Sequence, residues 1–375
     1  MNINVDKIKN IPKFLQGDKT LTKELWEERR QKIIGLLCEE EYGFLPPPPL
    51  KMSWETVETD NEFCAGKAPL NKILLNITLH NGNIFTLPVN TVIPVNENKN
   101  SKNKIPFFVY ISFNADTPCK FLPSEEIADN GFAVFSFNYQ DAASDDGDFD
   151  NGLSKALGIS GNASLGKIAL WAWAAMRVMD YASTLQILDK TRASIAGHSR
   201  LGKTALLAGA IDTRFEYIIS NNSGCCGAAV SRGKKGETIG DITKAFPFWF
   251  KSSFKKYSGN EDSLPFDQHF LLAASAPRRV YISSSSDDLW ADPDAEFLSC
   301  ILAGDVWTKL GLPALVCSED ARKTRKDSFP LNEINKENLY HGGNVAYHLR
   351  EGAHYLSRED WRLFMSYIKK STTSP

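Results

Sequence analysis

No run of 18 or more apolar residues occurs in the chain, which excludes a hydrophobic transmembrane helix. Neither sign of charge is in excess: 43 basic residues face 45 acidic ones, for a formal net charge of −2. The chain therefore offers no basic field for nucleic acid and no polybasic signature for anionic membrane. No C-x-x-C pair exists among the seven cysteines, so the usual zinc spacing is missing. Their odd number and scatter argue against a disulfide framework, and buried free thiols are expected. The opening stretch "MNINVDKIKNIPKFLQ" has no continuous apolar core of the signal-peptide kind. Localisation stays open between a protein that remains in the cell and one whose export signal has been removed.

What is present reads as one large α/β unit. The 375 residues suffice for a sizeable core, and 42% hydrophobic with 23% charged residues is ordinary for a soluble globular protein. Residues 21–43 carry Leu25, Trp26, Ile33, Leu36 and Leu37 at helical spacing, and Gly43 with Pro46–Pro49 stops that helix. Residues 51–95 read as strands, with "HNGN" as a hairpin turn between "KILLNITL" and "IFTLPVNTVIPV". Segment 96–104 is a polar loop.

The rhythm then changes. "IPFFVYISF" (105–113) and "FAVFSFNY" (132–139) are nearly continuous apolar runs, as in strands buried on both faces of a parallel sheet. A helix follows over 164–185, with Ile168, Trp171, Ala172, Ala175 and Met179 on one stripe. Then come strand 193–197, helix 202–210, and strands 217–220, 279–285 and 344–350. Strand and helix alternate without an internal repeat or a long linker. The expectation is a single α/β domain over 1–375, doubly wound around a mainly parallel sheet. The helical arm and hairpin, about 1–95, pack onto it.

Residues 196–205, "AGHSRLGKTA", satisfy two motifs. From Gly197 the spacing G-x-x-x-x-G-K-T is a complete phosphate-binding P-loop, with Lys203 as phosphate ligand. The same stretch is a slightly off-pattern nucleophile elbow, with Ser199 as nucleophile. A P-loop normally follows the first strand of its sheet, whereas this motif comes after several strands and a long helix. An α/β-hydrolase elbow sits late, and its partners follow in the order acid, then histidine. Asp287 and Asp288 come straight after strand 279–285, and His354 follows the last strand. The P-loop reading can claim either aspartate for magnesium but leaves His354 unexplained. On spacing alone, the chain is an ester or amide hydrolase of the α/β type.

"GHSRLGKTALLAGAIDTRF" with "SNNSGCCGAAVSRGKKGET", "KIALWAWAAMRVMDY", "FPFWF", "DLWADP" and "YHLREGAHYLSREDW" resembles the glucuronoyl esterases, family 15 of the carbohydrate esterases, in their bacterial form. The resemblance runs through most of the chain. It implies an α/β-hydrolase fold and cleavage of the ester between lignin alcohols and the 4-O-methyl-glucuronic acid side groups of xylan. Ser199 would attack and His354 would carry the proton. Arg200 would give its backbone N–H to the oxyanion hole. The resemblance also turns its guanidinium to the oxyanion. Fungal members carry a Glu where this chain has Asn222, which cannot be an anionic orienter. Many bacterial members use an Asp two residues before a Trp, which maps onto Asp288 and Trp290. Asp287 is the second candidate for the acid. Asp292 reads as the cap of a helix with Pro293 at its first position.

The resemblance further puts Lys203 and Glu237 on sugar hydroxyls and Trp290 beside the sugar ring. The bland alternatives are a solvated helix lysine, a solvated loop carboxylate and a core tryptophan. Among the other histidines, His198 and His348 read as structural. His80, His269 and His341 read as surface or loop residues, with His341 a weak rival to His354. No metal or organic cofactor is required by this chemistry. The expected partner is a small or oligosaccharide substrate, with no nucleic acid and no membrane, and the expected state is a monomer. The competing functions are another carbohydrate esterase such as an acetyl xylan esterase, a nucleotide-binding protein, and an inactive binding module.

Overall fold

The computed structural model describes residues 11–15, 21–95, 104–317 and 338–371. The polar segment 96–104 and the opening stretch lie for the most part outside them. Strands β1 (Lys51–Asp60), β2 (Leu70–Thr78), β3 (Ile84–Val92), β4 (Ile105–Ser112), β5 (Ala133–Asn138), β6 (Leu188–His198), β7 (Tyr217–Asn221), β8 (Arg279–Ser285) and β9 (Val345–Arg350) form one sheet. Its order is β1-β2-β3-β5-β4-β6-β7-β8-β9. The first three strands pair antiparallel, and β3 joins β5 antiparallel. From β5 to β9 every pairing is parallel. The sequence signals follow this division: β2 alternates buried and part-exposed residues, whereas all eight residues of β4 are buried.

Helices α1 (Lys23–Leu37), α2 (Lys167–Thr184), α3 (Arg200–Ile211), α4 (Pro293–Lys309) and α5 (Arg358–Ser371) cover the sheet. Helix α1 ends in a π turn over Cys38–Tyr42, stopped at Gly43 with φ of 85°. Trp26 and Arg30 tie it down by donating to the carbonyls of Ala276 and Ala210. Helix α2 departs from the single stripe expected of it. Almost every face is buried, including Trp171 and Trp173. Segment 246–250 and the proline run cover its outer side: Lys167 and Ile168 N–H donate to Phe248 and Trp249, and the Trp173 indole donates to Pro47.

All seven cysteines are free, five buried and two half-buried. His348 is a core histidine, bonded to the Tyr281 hydroxyl and to Asp360. His269 and His341, expected at the surface or on loops, are both away from solvent, His341 on a loop and His269 at the start of a short helix. Both are buried, on the Pro12 carbonyl and the Tyr281 hydroxyl respectively. Among the described residues, no helix is long and apolar enough to cross a membrane. No group of three or more His, Cys, Asp or Glu among them could hold a metal ion.

Candidate active site

Strand β6 ends at His198 and α3 begins at Arg200, so Ser199 alone makes the turn. Its backbone sits at φ 58°, ψ −126°, a region that costs a non-glycine residue of order 1–3 kcal/mol. The neighbours enforce it. A Cβ on Gly197 would lie 2.0 Å from the Leu201 carbonyl oxygen, and one on Gly202 would meet Ser220 Oγ at 2.8 Å. Ser199 N–H donates to Asn221 O on the next strand. The turn leaves no multi-residue loop whose N–H groups could cradle phosphates, since residues 200–204 are already helical. That geometry rules out the P-loop reading.

The acid and the imidazole arrive from β8 and β9, which follow β6 and β7 in the sheet order. His354 Nδ1 lies 2.6 Å from Asp288 Oδ2, and the Asn222 amide donates to the same oxygen at 2.8 Å. Ala291 N–H reaches Asp288 Oδ1 at 3.3 Å. Burial pushes the Asp288 carboxyl up, but hydrogen bonds from His354 and Asn222 outweigh it and hold the group below the usual carboxylate range. An ionised Asp288 only accepts, so Nδ1 carries the imidazole proton and Nε2 its lone pair. The rings of His198 and His354 lie 4.6 Å apart, so the imidazole stands against the residue that precedes Ser199. His198 itself is held neutral, pushed down to about 3 by burial and then by His354. Asp287 is exposed, and its carboxylate accepts from the Ser286 hydroxyl. Asp292 caps α4 by accepting from Ala295 N–H, with Pro293 at the first helical position.

On the other side of Ser199, the Arg200 guanidinium forms an ion pair with Asp145. Trp249, Phe246 and Phe113 surround it at 4.6, 5.2 and 5.8 Å from its central carbon. Asp145 also accepts from the Tyr139 hydroxyl and the Trp249 indole, each at 2.7 Å. Arg200 Nε is buried and has no partner. The guanidinium thus stands beside the turn, clamped by a carboxylate that no motif announced.

Lys203 is only 4% exposed, and its ammonium donates to the Ser223 carbonyl. It is therefore not a solvated helix lysine. Trp290 is 59% exposed, which removes the core-packing alternative. Glu237 is half-buried, and its N–H donates to the Trp290 carbonyl, so the "GET" loop lies against the Asp-x-Trp motif. Gly236 is required there, because a Cβ would sit 2.1 Å from Trp290 O. The sequence did not flag Asn222 as a partner of the acid, nor Glu296. Glu296 is fully buried below the site and accepts from Gly224 N–H and Ser284 Oγ. Burial pushes it up to about 7, against the hydrogen bond from Ser284.

A mainly parallel sheet, a serine on a strained turn after β6, and an acid–imidazole pair on loops after β8 and β9 are the frame of an α/β-hydrolase. A family model described as glucuronyl esterase, fungi, matches residues 80–311, a stretch that holds Ser199 and Asp288 and stops before His354. The chain belongs to the glucuronyl esterase family. It is 44% identical over 208 residues to a carbohydrate esterase of an unknown prokaryotic organism, covering 56% of this chain and 45% of that protein. It is 27% identical over 310 residues to the 4-O-methyl-glucuronoyl methylesterase of Podospora anserina, covering 80% of this chain and 59% of that one. The chain thus spans about half the length of these two curated relatives. Among solved structures, the glucuronoyl esterase from Solibacter usitatus superposes with a TM-score of 0.80 at 27% identity, over 96% of this chain and 97% of the other.

Proposed function

We propose that this protein is a serine-type esterase that cleaves esters of 4-O-methyl-glucuronic acid, the uronic side group of xylan, with an aromatic lignin-type alcohol as leaving group. One observation carries the reading. A serine in strained backbone precedes, in chain order, an aspartate bonded at 2.6 Å to the histidine of the following strand end. The family membership supplies the substrate class.

Each residue has a task in this mechanism. Ser199 Oγ attacks the ester carbonyl while His354 Nε2 takes its proton. Asp288 fixes the tautomer and stabilises the imidazolium. The Arg200 backbone N–H stabilises the developing oxyanion, and its clamped guanidinium adds a fixed positive charge beside the turn. His354 then returns the proton to the departing alcohol, leaving an acyl group on Ser199. Water, deprotonated by His354, attacks that acyl group and releases the uronic acid. Exposed Trp290 offers a ring face and an indole N–H to the sugar, and Glu237 an acceptor for its hydroxyls. Lys203 gives one of its three donors to Ser223, and we assign a remaining one to a sugar hydroxyl. These steps call for no metal or organic cofactor, and we propose a monomer as the working unit.

Initial rates on benzyl glucuronate, 4-nitrophenyl acetate and acetylated xylan test the proposal. The benzyl uronate should have the highest kcat/KM. A clear preference for acetylated xylan would transfer the protein to the acetyl esterases.

A further inference from the structure

The loop between β9 and α5 carries His354, yet its backbone has little regular pairing of its own. The carbonyls of Glu351, Ala353 and Tyr355 instead converge on one side chain. Arg350, the last residue of β9, donates through Nη1 to Glu351 O at 2.5 Å. Through Nη2 it donates to Ala353 O at 3.0 Å and Tyr355 O at 2.9 Å, the residues on either side of His354. Its Nε is bonded at 3.2 Å to Asp360, a fully buried carboxylate. Asp360 itself is fixed by His348 and by the N–H and hydroxyl of Ser357. The loop is therefore folded around a cation anchored in the core, and backbone carbonyls have replaced a sheet ladder with a guanidinium fork.

A further contact leaves the loop. Arg350 Nη2 also reaches Ser285 Oγ at 2.7 Å, a third acceptor for its two hydrogens, so one N–H is shared; Ser285 Oγ donates to Asn222 Oδ1 at 3.2 Å. The Asn222 amide then donates to Asp288 Oδ2, the oxygen that meets His354 Nδ1. The path starts at the backbone flanking the imidazole and returns to the imidazole through the acid. It joins β9, β8, the turn after β7 and the loop after β8, so no single element fixes the pair. Asn222 fits this path as an amide, because it must accept from Ser285 on one side and donate to Asp288 on the other. A carboxylate there could only accept.

We infer that Arg350 is a positioning residue of the hydrolytic site. It sets the backbone on both sides of His354 and, through Ser285 and Asn222, the direction of the Asp288 carboxylate. The inference rests on the proposed roles of His354 and Asp288. Small misplacements of a catalytic group cost up to about 100-fold in rate, which gives the scale of the effect.

The test is steady-state kinetics on benzyl glucuronate with thermal melting of each variant. Arg350→Met should lower kcat about 10- to 100-fold with KM within about twofold, the pattern of a group acting on the transition state alone. Arg350→Lys should not restore it, since an ammonium lacks the planar fork. Ser285→Ala removes a hydroxyl and leaves the Arg350–loop contacts intact. It should lower kcat severalfold, and adding Asn222→Leu should cost far less than the product of the single losses, because both cut one path. Should Arg350→Met fail to fold, Ser285→Ala and its double variant decide the matter. A folded Arg350→Met or Ser285→Ala enzyme with wild-type kcat overturns the inference, even if its melting temperature falls. His354→Ala separates the two layers. An inactive His354→Ala beside an unaffected Arg350→Met sinks the inference alone, whereas an active His354→Ala sinks the base assignment and the inference with it.

Discussion

The two flanks of Ser199 are built from opposite materials. On one flank His354 stands 43% exposed by side chain, and it is held by a relay of hydrogen bonds through the Asp288 carboxylate and the neutral Asn222 and Ser285. On the other, Arg200 is enclosed by three aromatic rings and paired with one carboxylate, Asp145. The difference matches what each cation must do. In the proposed mechanism the imidazole gains and loses a proton every cycle, so its surroundings must tolerate both charge states. The guanidinium never titrates, so it can be locked by a counter-charge and π faces. An enzyme that moves a proton on one side and stabilises a fixed oxyanion on the other needs this asymmetry.

Removing the carboxylate on the imidazole flank should have the largest effect among the substitutions that probe the contrast. Asp288→Asn deprives His354 Nδ1 of an anionic acceptor, and the corresponding change in the best-studied serine protease costs about 10⁴ in kcat. Steady-state rates on benzyl glucuronate should fall on that order, with Asp287 intact. Adding Asn222→Glu should return part of the loss. The amide nitrogen of Asn222 already lies 2.8 Å from the oxygen that His354 uses, so a carboxylate one methylene longer can reach the ring. The return is limited because Asn222 sits at φ 47°, where a non-glycine residue is strained. A near-wild-type Asp288→Asn would erase the difference between the flanks.

On the guanidinium flank, Asp145→Asn should lower kcat by about 10- to 100-fold and leave KM nearly unchanged, because the clamp acts on a group used in the transition state. If KM rises instead while kcat holds, Arg200 contacts ground-state substrate and the flank has been misread. A smaller and more selective effect belongs to Lys203→Ala. It should raise KM for benzyl glucuronate about tenfold while changing 4-nitrophenyl acetate turnover less than about threefold, in line with a hydrogen bond to a sugar hydroxyl. Equal losses on both substrates would make the lysine a support for the Ser223 carbonyl alone.

The smallest expected effect concerns pH and stability beneath the imidazole flank. Burial raises Glu296 to about 7 from an ordinary 4.5, with Asp288 adding to the rise and Ser284, Gly224 and Lys234 opposing it. A raised carboxyl stabilises the fold in its protonated form, so that contribution is complete below about 4.5 and is lost as pH climbs through about 7. Asp288, shifted the other way, loses its contribution only as pH falls below the carboxylate range. The melting temperature should therefore drop between about pH 5 and pH 8, and Glu296→Gln should flatten part of that drop. A parallel curve for Glu296→Gln would show that Glu296 does not titrate in that window.

The sequence foretold the strands of the parallel half within a few residues, because buried strands are written as local apolar runs. The turn at Ser199 and the Asp288–His354 pair were legible too, since each lies at or shortly after the end of a strand. The supports were not. Asp145, Asn222 and Ser285 reach their partners across 55 to 66 residues of chain, as Arg350 does toward Ser285, and the types and spacing of all four are those of ordinary loop or strand residues. The same reason hid the burial of Lys203, His269 and His341, which depends on what the rest of the fold lays over them. The stripe expected of α2 failed likewise, because the proline run and segment 246–250 cover the face that periodicity left to solvent.

The most direct test of the account is the initial rate of benzyl glucuronate hydrolysis by Ser199→Ala, measured beside wild type with circular dichroism and melting temperature as checks on folding. The account predicts a rate indistinguishable from the uncatalysed background in a protein that melts at or above the wild-type temperature, since alanine removes only the nucleophilic hydroxyl. A folded Ser199→Ala enzyme that keeps a substantial fraction of the wild-type rate would contradict it.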